Sequence, residues 1–171
     1  MLLVGDGVSL VELHLPASAP FDKITEQYTR DDEVLSPVAE EIAAYFSGDL
    51  TMFTVPLAPS GTVFQLSVWD ALCDIAYGTT ATYGEIATAV GRPKAPRAVG
   101  MANHVNPIAL IIPCHRVIGA NGALTGYGGG LDLKATLLSL ETSILAGERP
   151  SWSAGGHLLA RPGTPERALS T

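Results

Sequence analysis

The chain has 171 residues (17.8 kDa), is 47% hydrophobic and 16% charged, and has a mean hydropathy of +0.27. That is enough apolar mass for one good core or two small packed domains, and too much for a disordered chain. No apolar run reaches the roughly 18 residues of a membrane span, and Met1-Leu2-Leu3-Val4 is broken at once by Gly5-Asp6-Gly7, unlike a signal peptide. Two cysteines, Cys73 and Cys114, are too few for a disulfide framework or a four-ligand zinc cluster, so a reducing, cytoplasmic setting is expected. The net charge of −7 argues against nucleic acid, but it is unevenly spread. Residues 1–75 hold two basic and twelve acidic side chains, residues 76–141 five and three, and residues 142–171 three and two. The middle segment therefore leaves phosphate contact open, without a dense basic patch.

Val8 to Leu15 alternates apolar and polar positions and predicts a strand. Residues 16–33 read as a polar connection. Val34 to Phe46 predicts an amphipathic helix with Val38, Ile42, Tyr45 and Phe46 on one face, closed by Gly48. Pro56, Pro59 and Gly61 mark a linker, which sets off a small N-terminal α/β domain over residues 1–58. One strand and one helix do not make a stable domain alone. The front half must lean on the rest, or it is short of a first strand.

Phe64, Val68, Trp69, Leu72 and Ile75 recur at helical spacing and predict a core helix over 62–75, broken at Tyr77-Gly78. Thr82 and Glu85 fit a capping box, opening a helix that runs to Val90 and stops at Gly91. Pro96 is placed to begin the next helix, to about Asn103. Two short helices around a glycine-containing turn make a helix-turn-helix candidate. The second helix is small-sided (Ala95, Ala98, Gly100, Ala102), with Arg97 projecting. That composition suits close approach to a minor groove with one wedging side chain, and it suits tight packing against a neighbouring helix equally well.

Pro107 to Ile112 is wholly apolar and predicts a buried strand or core segment. Cys114, His115 and Arg116 follow directly, where packing alone does not explain them. Residues 119–130 carry six glycines but fail the dinucleotide spacing, because Leu131 stands where the last glycine belongs. Asp132 is expected to cap a helix through Leu137, Leu138 and Leu140 to Glu141, and residues 146–171 to form a flexible tail. The folding pattern overall is α+β, with the N-terminal α/β domain followed by a mainly helical domain over 60–145.

A free thiol is only a few per cent thiolate at neutral pH and needs help to act as a nucleophile. Both His115 and Arg116 favour the anion of Cys114. Adjacent side chains of an extended segment diverge, however, so a bridging water or a turn at Pro113 is required. The histidine needs a third group to fix its tautomer, and Glu141, on an otherwise apolar helix, is the best candidate. Cys73 reads as a small buried core residue. His14, His104 and His157 are scattered and suggest no metal site.

The run Asn106-Pro107-Ile108-Ala109-Leu110-Ile111-Ile112-Pro113-Cys114-His115-Arg116-Val117 resembles the active-site signature of the O6-alkylguanine-DNA alkyltransferases, also called methylated-DNA–protein-cysteine methyltransferases. Tyr83-Gly84-Glu85-Ile86-Ala87, Arg97-Ala98-Val99-Gly100 and Tyr127-Gly128-Gly129-Gly130 resemble further motifs of that family, in the same order. The resemblance is dense over 60–142 and loose over 2–58. It implies single-turnover transfer of an alkyl group from O6 of a flipped-out guanine, with O4 of thymine as a second candidate site, onto Cys114. His115 would act as base through a water, with Glu141 as its orienting carboxylate. Asn106 would brace the active-site turn, and Tyr83 would press on the flipped nucleotide. Arg97 would fill the vacated place in the stack. Val117 and Gly128 would line the guanine pocket through backbone groups, with Ala98, Asn103, Arg116 and Tyr127 among the DNA- and substrate-binding residues. The implied partner is double-stranded DNA carrying the lesion. No metal, cofactor, membrane or obligatory protein partner is implied, and the protein is expected to act as a monomer. Family members usually have one more strand ahead of the segment resembling residues 2–15, so the chain is expected to start late. Their N-terminal zinc-binding cysteines are absent here.

Three other functions compete. Alkyltransferase-like proteins recognise alkylated guanine without repairing it, but they lack the cysteine. A cysteine hydrolase would use the same three groups with an oxyanion hole. A transcription factor is disfavoured by the few base-reading side chains on the second helix.

Overall fold

The computed structural model describes residues 1–15, 28 and 33–149. Most of the expected 16–33 connection, and the expected tail beyond residue 149, lie outside the described residues. Two strands, β1 (Leu2–Gly5) and β2 (Leu10–His14), form an antiparallel hairpin with Leu3 opposite Leu13 and a bulge between Val4 and Gly5. The predicted strand therefore begins two residues later than Val8, which is 81% exposed in the turn. β2 has a partner strand, β1, that the sequence pattern did not reveal. Met1-Leu2-Leu3-Val4 carries too little alternation to betray one, and pairing with β2 supplies the order that its own pattern lacks.

The other edge of β2 is shared. Leu10 exchanges backbone hydrogen bonds with Pro56 and Ala58 (both 2.9 Å), and the Leu13 amide donates to the Pro107 carbonyl at 2.7 Å. Leu13 also bridges Ile108 in parallel register. Pro107–Ile112 is thus not a strand of its own. It folds back on itself, with the Ile112 amide bonded to the Ile108 carbonyl at 3.0 Å and Leu110 at φ +92°. A buried leucine in the left-handed region is costly, roughly 1 kcal/mol or more. The segments that hold it, β2 on one side and the Cys114 turn on the other, over-determine that conformation.

Helix α1 (Ser36–Ser47) ends as predicted on Gly48, at φ +79°. It buries Val38, Ile42 and Tyr45. Tyr45 is fully enclosed, edge-on to Phe46 (5.4 Å) and Tyr77 (5.8 Å) and stacked on Phe53 (5.4 Å). Helix α2 (Val63–Cys73) starts with a capping box between Thr62 and Gln65 that the sequence reading overlooked. Residues Ala81–Thr82 (β3) pair in parallel with Val117–Ile118 (β4). The Thr82–Glu85 capping box is present, the Thr82 amide donating to Glu85 at 2.6 Å, and opens α3 (Tyr83–Ala89). After a turn through Gly91 (φ +70°), Pro96 begins α4 (Pro96–His104). Together α3 and α4 form the expected helix-turn-helix. Helix α5 (Leu131–Leu145) follows the glycine-rich loop. Gly130, at φ +88°, precedes it in place of an aspartate cap, and Asp132 lies within the first turn, where its charge still favours the helix N-terminus.

One cluster of buried residues draws on all these elements, with Leu10, Ile42 and Tyr45 from the front and Val68, Leu72, Val99, Ile108 and Leu137 from the rest. Both readings of the small-sided helix hold, on different faces. Val99 and Ala102 are buried against the core, while Arg97, Ala98 and Met101 are exposed. The Trp69 indole N–H donates to the Ala102 carbonyl at 2.9 Å, satisfying a C-terminal carbonyl that α4 itself leaves unpaired. Among the described residues, no helix is long and apolar enough to cross a membrane.

Candidate active site

Cys114, His115 and Arg116 form a single 3-10 turn behind Pro113, with the Arg116 amide bonded to the Pro113 carbonyl at 2.9 Å. The extended geometry expected of this segment is absent. In a three-residue turn, successive side chains leave the axis in three directions. The turn is enclosed: Cys114 is 4%, His115 0% and Arg116 7% exposed.

The turn is held from below by Asn106. Its amide donates to the Ile112 carbonyl at 2.9 Å and accepts from the Ile108 amide at 3.1 Å, and its side chain pulls the Cys114 thiol toward its anion. Leu13, bonded to Pro107, fixes the residue next to it. The active-site turn is thereby tied to the N-terminal hairpin.

His115 Nε2 lies 2.9 Å from Glu141 Oε1. Glu141, in the middle of α5, is fully buried and is met from four sides. Besides His115, it accepts from Arg116 Nε (3.2 and 3.1 Å) and Nη2 (2.9 Å), from the Tyr45 hydroxyl (2.7 Å) and from the Gly78 amide (2.9 Å). Burial alone would raise its pKa, but the hydrogen bonds and charge supplied by His115 and Arg116 overcome this and hold the carboxyl at about 2. An ionised carboxylate only accepts, so His115 carries its proton on Nε2. That leaves Nδ1 as the basic nitrogen, and it is buried without a hydrogen-bond partner in the structure. Burial lowers the histidine pKa against the opposing pull of Glu141, keeping the ring neutral and able to take a proton. Tyr127 packs edge-on to the ring at 6.3 Å, its hydroxyl also buried and unpartnered.

Burial pushes the Cys114 thiol up to about 11, with Asn106 and the charge of Lys134 pulling the other way. At neutral pH only about one molecule in ten thousand holds a thiolate at such a value. A thiol held this high needs a proton acceptor in order to react, and the free nitrogen of the neutral His115 ring, the next residue in the turn, can serve as one.

Several placements differ from what the sequence suggests. Arg116 does not reach the thiol or a DNA-facing surface. Its guanidinium turns inward onto Glu141, donates to the Ile75 carbonyl at 2.7 Å and lies 5.5 Å above the Tyr77 ring. Lys134 supplies the positive charge near Cys114 instead, and the sequence reading missed it. It is wholly buried, and its ammonium donates to the carbonyls of Val117 (2.5 Å) and Thr125 (2.8 Å). The available signal was spacing: Lys134, Leu137 and Glu141 fall on one helical face, and Leu137 is core. Lys134→Met is expected to lower stability by about 1–3 kcal/mol, because two buried carbonyls lose their donor. It should also raise the Cys114 pKa further. An unchanged thiol titration in the variant would show that the ammonium does not act on the sulfur.

The remaining predicted residues divide by exposure. Arg97, Ala98 and Gly128 are exposed. Tyr83 bridges the helix-turn-helix and the glycine loop, its hydroxyl 3.2 Å from the Thr125 carbonyl and its ring against Gly100. Asn103, expected among the DNA-binding residues, is inside the fold, its amide atoms buried and without a partner among the described residues. Val117 is buried with its N–H bonded to the Cys114 carbonyl and its own carbonyl to Lys134. Gly129 is closely approached: a Cβ there would come within 2.7 Å of Leu133 and 2.9 Å of both Leu15 and Tyr127. Cys73, expected in the core, is exposed at the end of α2, where the helix turns its outer face to solvent.

Residues 63–143 match the family model of the 6-O-methylguanine DNA methyltransferase DNA-binding domain. The chain is 51% identical over 143 residues to the methylated-DNA–protein-cysteine methyltransferase of Methanosarcina acetivorans, covering 84% of this chain and 92% of that relative. It is 49% identical over 143 residues to the Mycobacterium tuberculosis protein of the same name, covering 84% and 86%. Among solved structures, the M. tuberculosis OGT in complex with DNA superposes with a TM-score of 0.78 at 49% identity, over 83% of this chain and 86% of that one. An O6-methylguanine DNA methyltransferase from Methanococcus jannaschii superposes with a TM-score of 0.59 at 31% identity, over 82% and 86%. With half its residues shared over nearly the full length of such relatives, and a buried cysteine set beside a carboxylate-oriented histidine, the chain belongs to the methylated-DNA–protein-cysteine methyltransferase family.

Proposed function

We propose that this protein repairs DNA by moving an alkyl group from O6 of guanine in a duplex onto the sulfur of Cys114, once per molecule. The observation that carries this reading is the enclosed thiol beside a neutral histidine whose proton is held on Nε2 by Glu141. In the reaction the Cys114 sulfur attacks the alkyl carbon and a carbon–sulfur bond forms. The carbon–O6 bond breaks, and its electron pair stays on the guanine, which takes a proton from water. The thiol proton passes through a bridging water to His115 Nδ1. The product thioether has no easy leaving group, so the protein is spent. The donor is the lesion, so the chemistry calls for no soluble cofactor.

The base reaches the thiol only outside the stack, at a cost of a few kcal/mol that is least for a damaged pair. Arg97, exposed in the first turn of α4, is placed to occupy the gap from the minor groove. Tyr83, between α4 and the glycine loop, borders the path of the flipped nucleotide. The protein acts as a monomer in the cytoplasm, where its thiol stays reduced.

The deciding experiment is the intact mass of the protein after incubation with a duplex carrying one O6-methylguanine, followed by peptide mapping. One methyl group per chain, on Cys114, is expected. Tight lesion binding without a mass change would instead make the protein a damage sensor. Arg97→Ala is expected to slow repair of duplex DNA at least tenfold, while reaction with free O6-alkylguanine changes little. Equal losses on both substrates would remove the stack-filling role.

A further inference from the structure

Helix α1 reaches the Glu141 carboxylate through the hydroxyl of Tyr45. Tyr45 lies on α1, 96 residues from Glu141 in sequence, and its hydroxyl donates to Oε1 at 2.7 Å. This is the same oxygen that accepts from His115. We infer that Tyr45 is a positioning residue for alkyl transfer: its hydroxyl sets the orientation of Glu141 and so how readily His115 takes the proton of Cys114.

Three observations support this assignment. Tyr45 is fully buried and its ring is fixed by Phe46, Phe53 and Tyr77, so the hydroxyl has one place to point. Burial and the charge of Glu141 keep the phenol protonated, so it remains a donor at every working pH. And Oε1 is shared: each donor that loads it draws charge away from the others. The groups facing the relay are Tyr45 from α1, Tyr77 beyond α2, Cys114 and Arg116 from the 3-10 turn, Tyr127 from the glycine loop and Lys134 from α5. Of these, Tyr45 and Arg116 donate to the carboxylate side chain to side chain. Arg116 is also its counter-ion and cannot be removed without leaving a bare charge. Tyr45 adjusts the carboxylate without changing any charge.

The sign follows directly. Without the hydroxyl, Oε1 concentrates its charge on His115 and stabilises the imidazolium, so the ring titrates at higher pH and is a base over a narrower range. In Tyr45→Phe, NMR titration of the His115 ring is expected to move up by about half a pH unit. The acid limb of the single-turnover methyl-transfer rate should move with it, and the plateau should fall about 3- to 10-fold from the looser carboxylate. Loss of packing alone would lower the plateau without displacing the limb. If Tyr45→Phe does not fold, 3-fluorotyrosine at position 45 keeps the packing and strengthens the donor, and the titration should then move down. The inference extends the alkyl-transfer reading, yet its first readout needs no transfer. Coincident His115 titrations in the two proteins overturn it, whereas a wild-type protein that takes up no methyl group strikes the reading of function and leaves the titration result standing.

Discussion

Cys114→Ser is expected to take up no methyl group from an O6-methylguanine duplex, with the rate reduced by on the order of 10³-fold or more. A hydroxyl at this position stays protonated far above the range in which even the thiol is held at about 11. His115, neutral but of lowered basicity, cannot hold the proton of an alkoxide-forming attack. Oxygen is also a poorer nucleophile toward an alkyl carbon. The fold should survive, because Asn106 offers the new hydroxyl a hydrogen-bond partner. Thermal unfolding close to wild type, together with retained lesion binding, would assign the loss to chemistry. Methyl uptake by the serine variant at another residue would displace Cys114 from its role.

Glu141→Gln should cost more than a rate. Beyond orienting His115, Glu141 is the counter-ion of a buried arginine, so the substitution should cost stability as well as rate. The amide would leave the Arg116 guanidinium uncompensated in the interior, a situation that typically costs about 3–5 kcal/mol. It would also present an N–H toward donors, so that one of Tyr45, His115 or the Gly78 amide loses its acceptor. A fall in the urea midpoint of that size is expected, alongside the loss of transfer. Stability within about 1 kcal/mol of wild type would show that Arg116 finds another partner or reaches water.

Glu141 and His115 together make the fold acid-labile. Glu141 ionises more readily in the folded protein than unfolded, so its contribution is fully present above its ordinary value of 4.5 and disappears as pH falls toward about 2. His115 is held below its ordinary 6.5. The unfolded chain therefore binds a proton there first, and stability begins to fall once pH drops under that value. Both slopes have the same sign, so stability should decline stepwise from near neutrality downward.

Much of this arrangement was legible in sequence because it is local. The Thr82–Glu85 cap, the glycine turn at Gly91, Pro96 at a helix start and the Pro-Cys-His-Arg run all declare themselves within a few residues. The pairing of His115 with Glu141 was also legible, since an acid on an apolar helix face needs a partner. What sequence could not supply is the third dimension of that partnership. Arg116 and Lys134 carry the same charge and look interchangeable beside Cys114. Only the 3-10 turn sends the first away from the thiol, and only the α5 face brings the second toward it. Tyr45 reads as an ordinary core aromatic, because nothing near it in the chain hints at a buried carboxylate. The β1 strand was missed for a related reason: its order comes from its partner strand.

The shared edge of β2 also bears on how the protein comes into being. Leu10 bonds to residues 56–58 and Leu13 to residue 107, while the relay closes only with α5. These contacts join widely separated parts of the chain, which makes them late events in folding. During synthesis the N-terminal hairpin leaves the ribosome before either partner of its outer edge exists, and Cys114 follows before its histidine has a carboxylate to lean on. The reactive centre therefore has no assembled precursor. The arrangement of Cys114, His115 and Glu141 thus exists only once the chain has been made through α5.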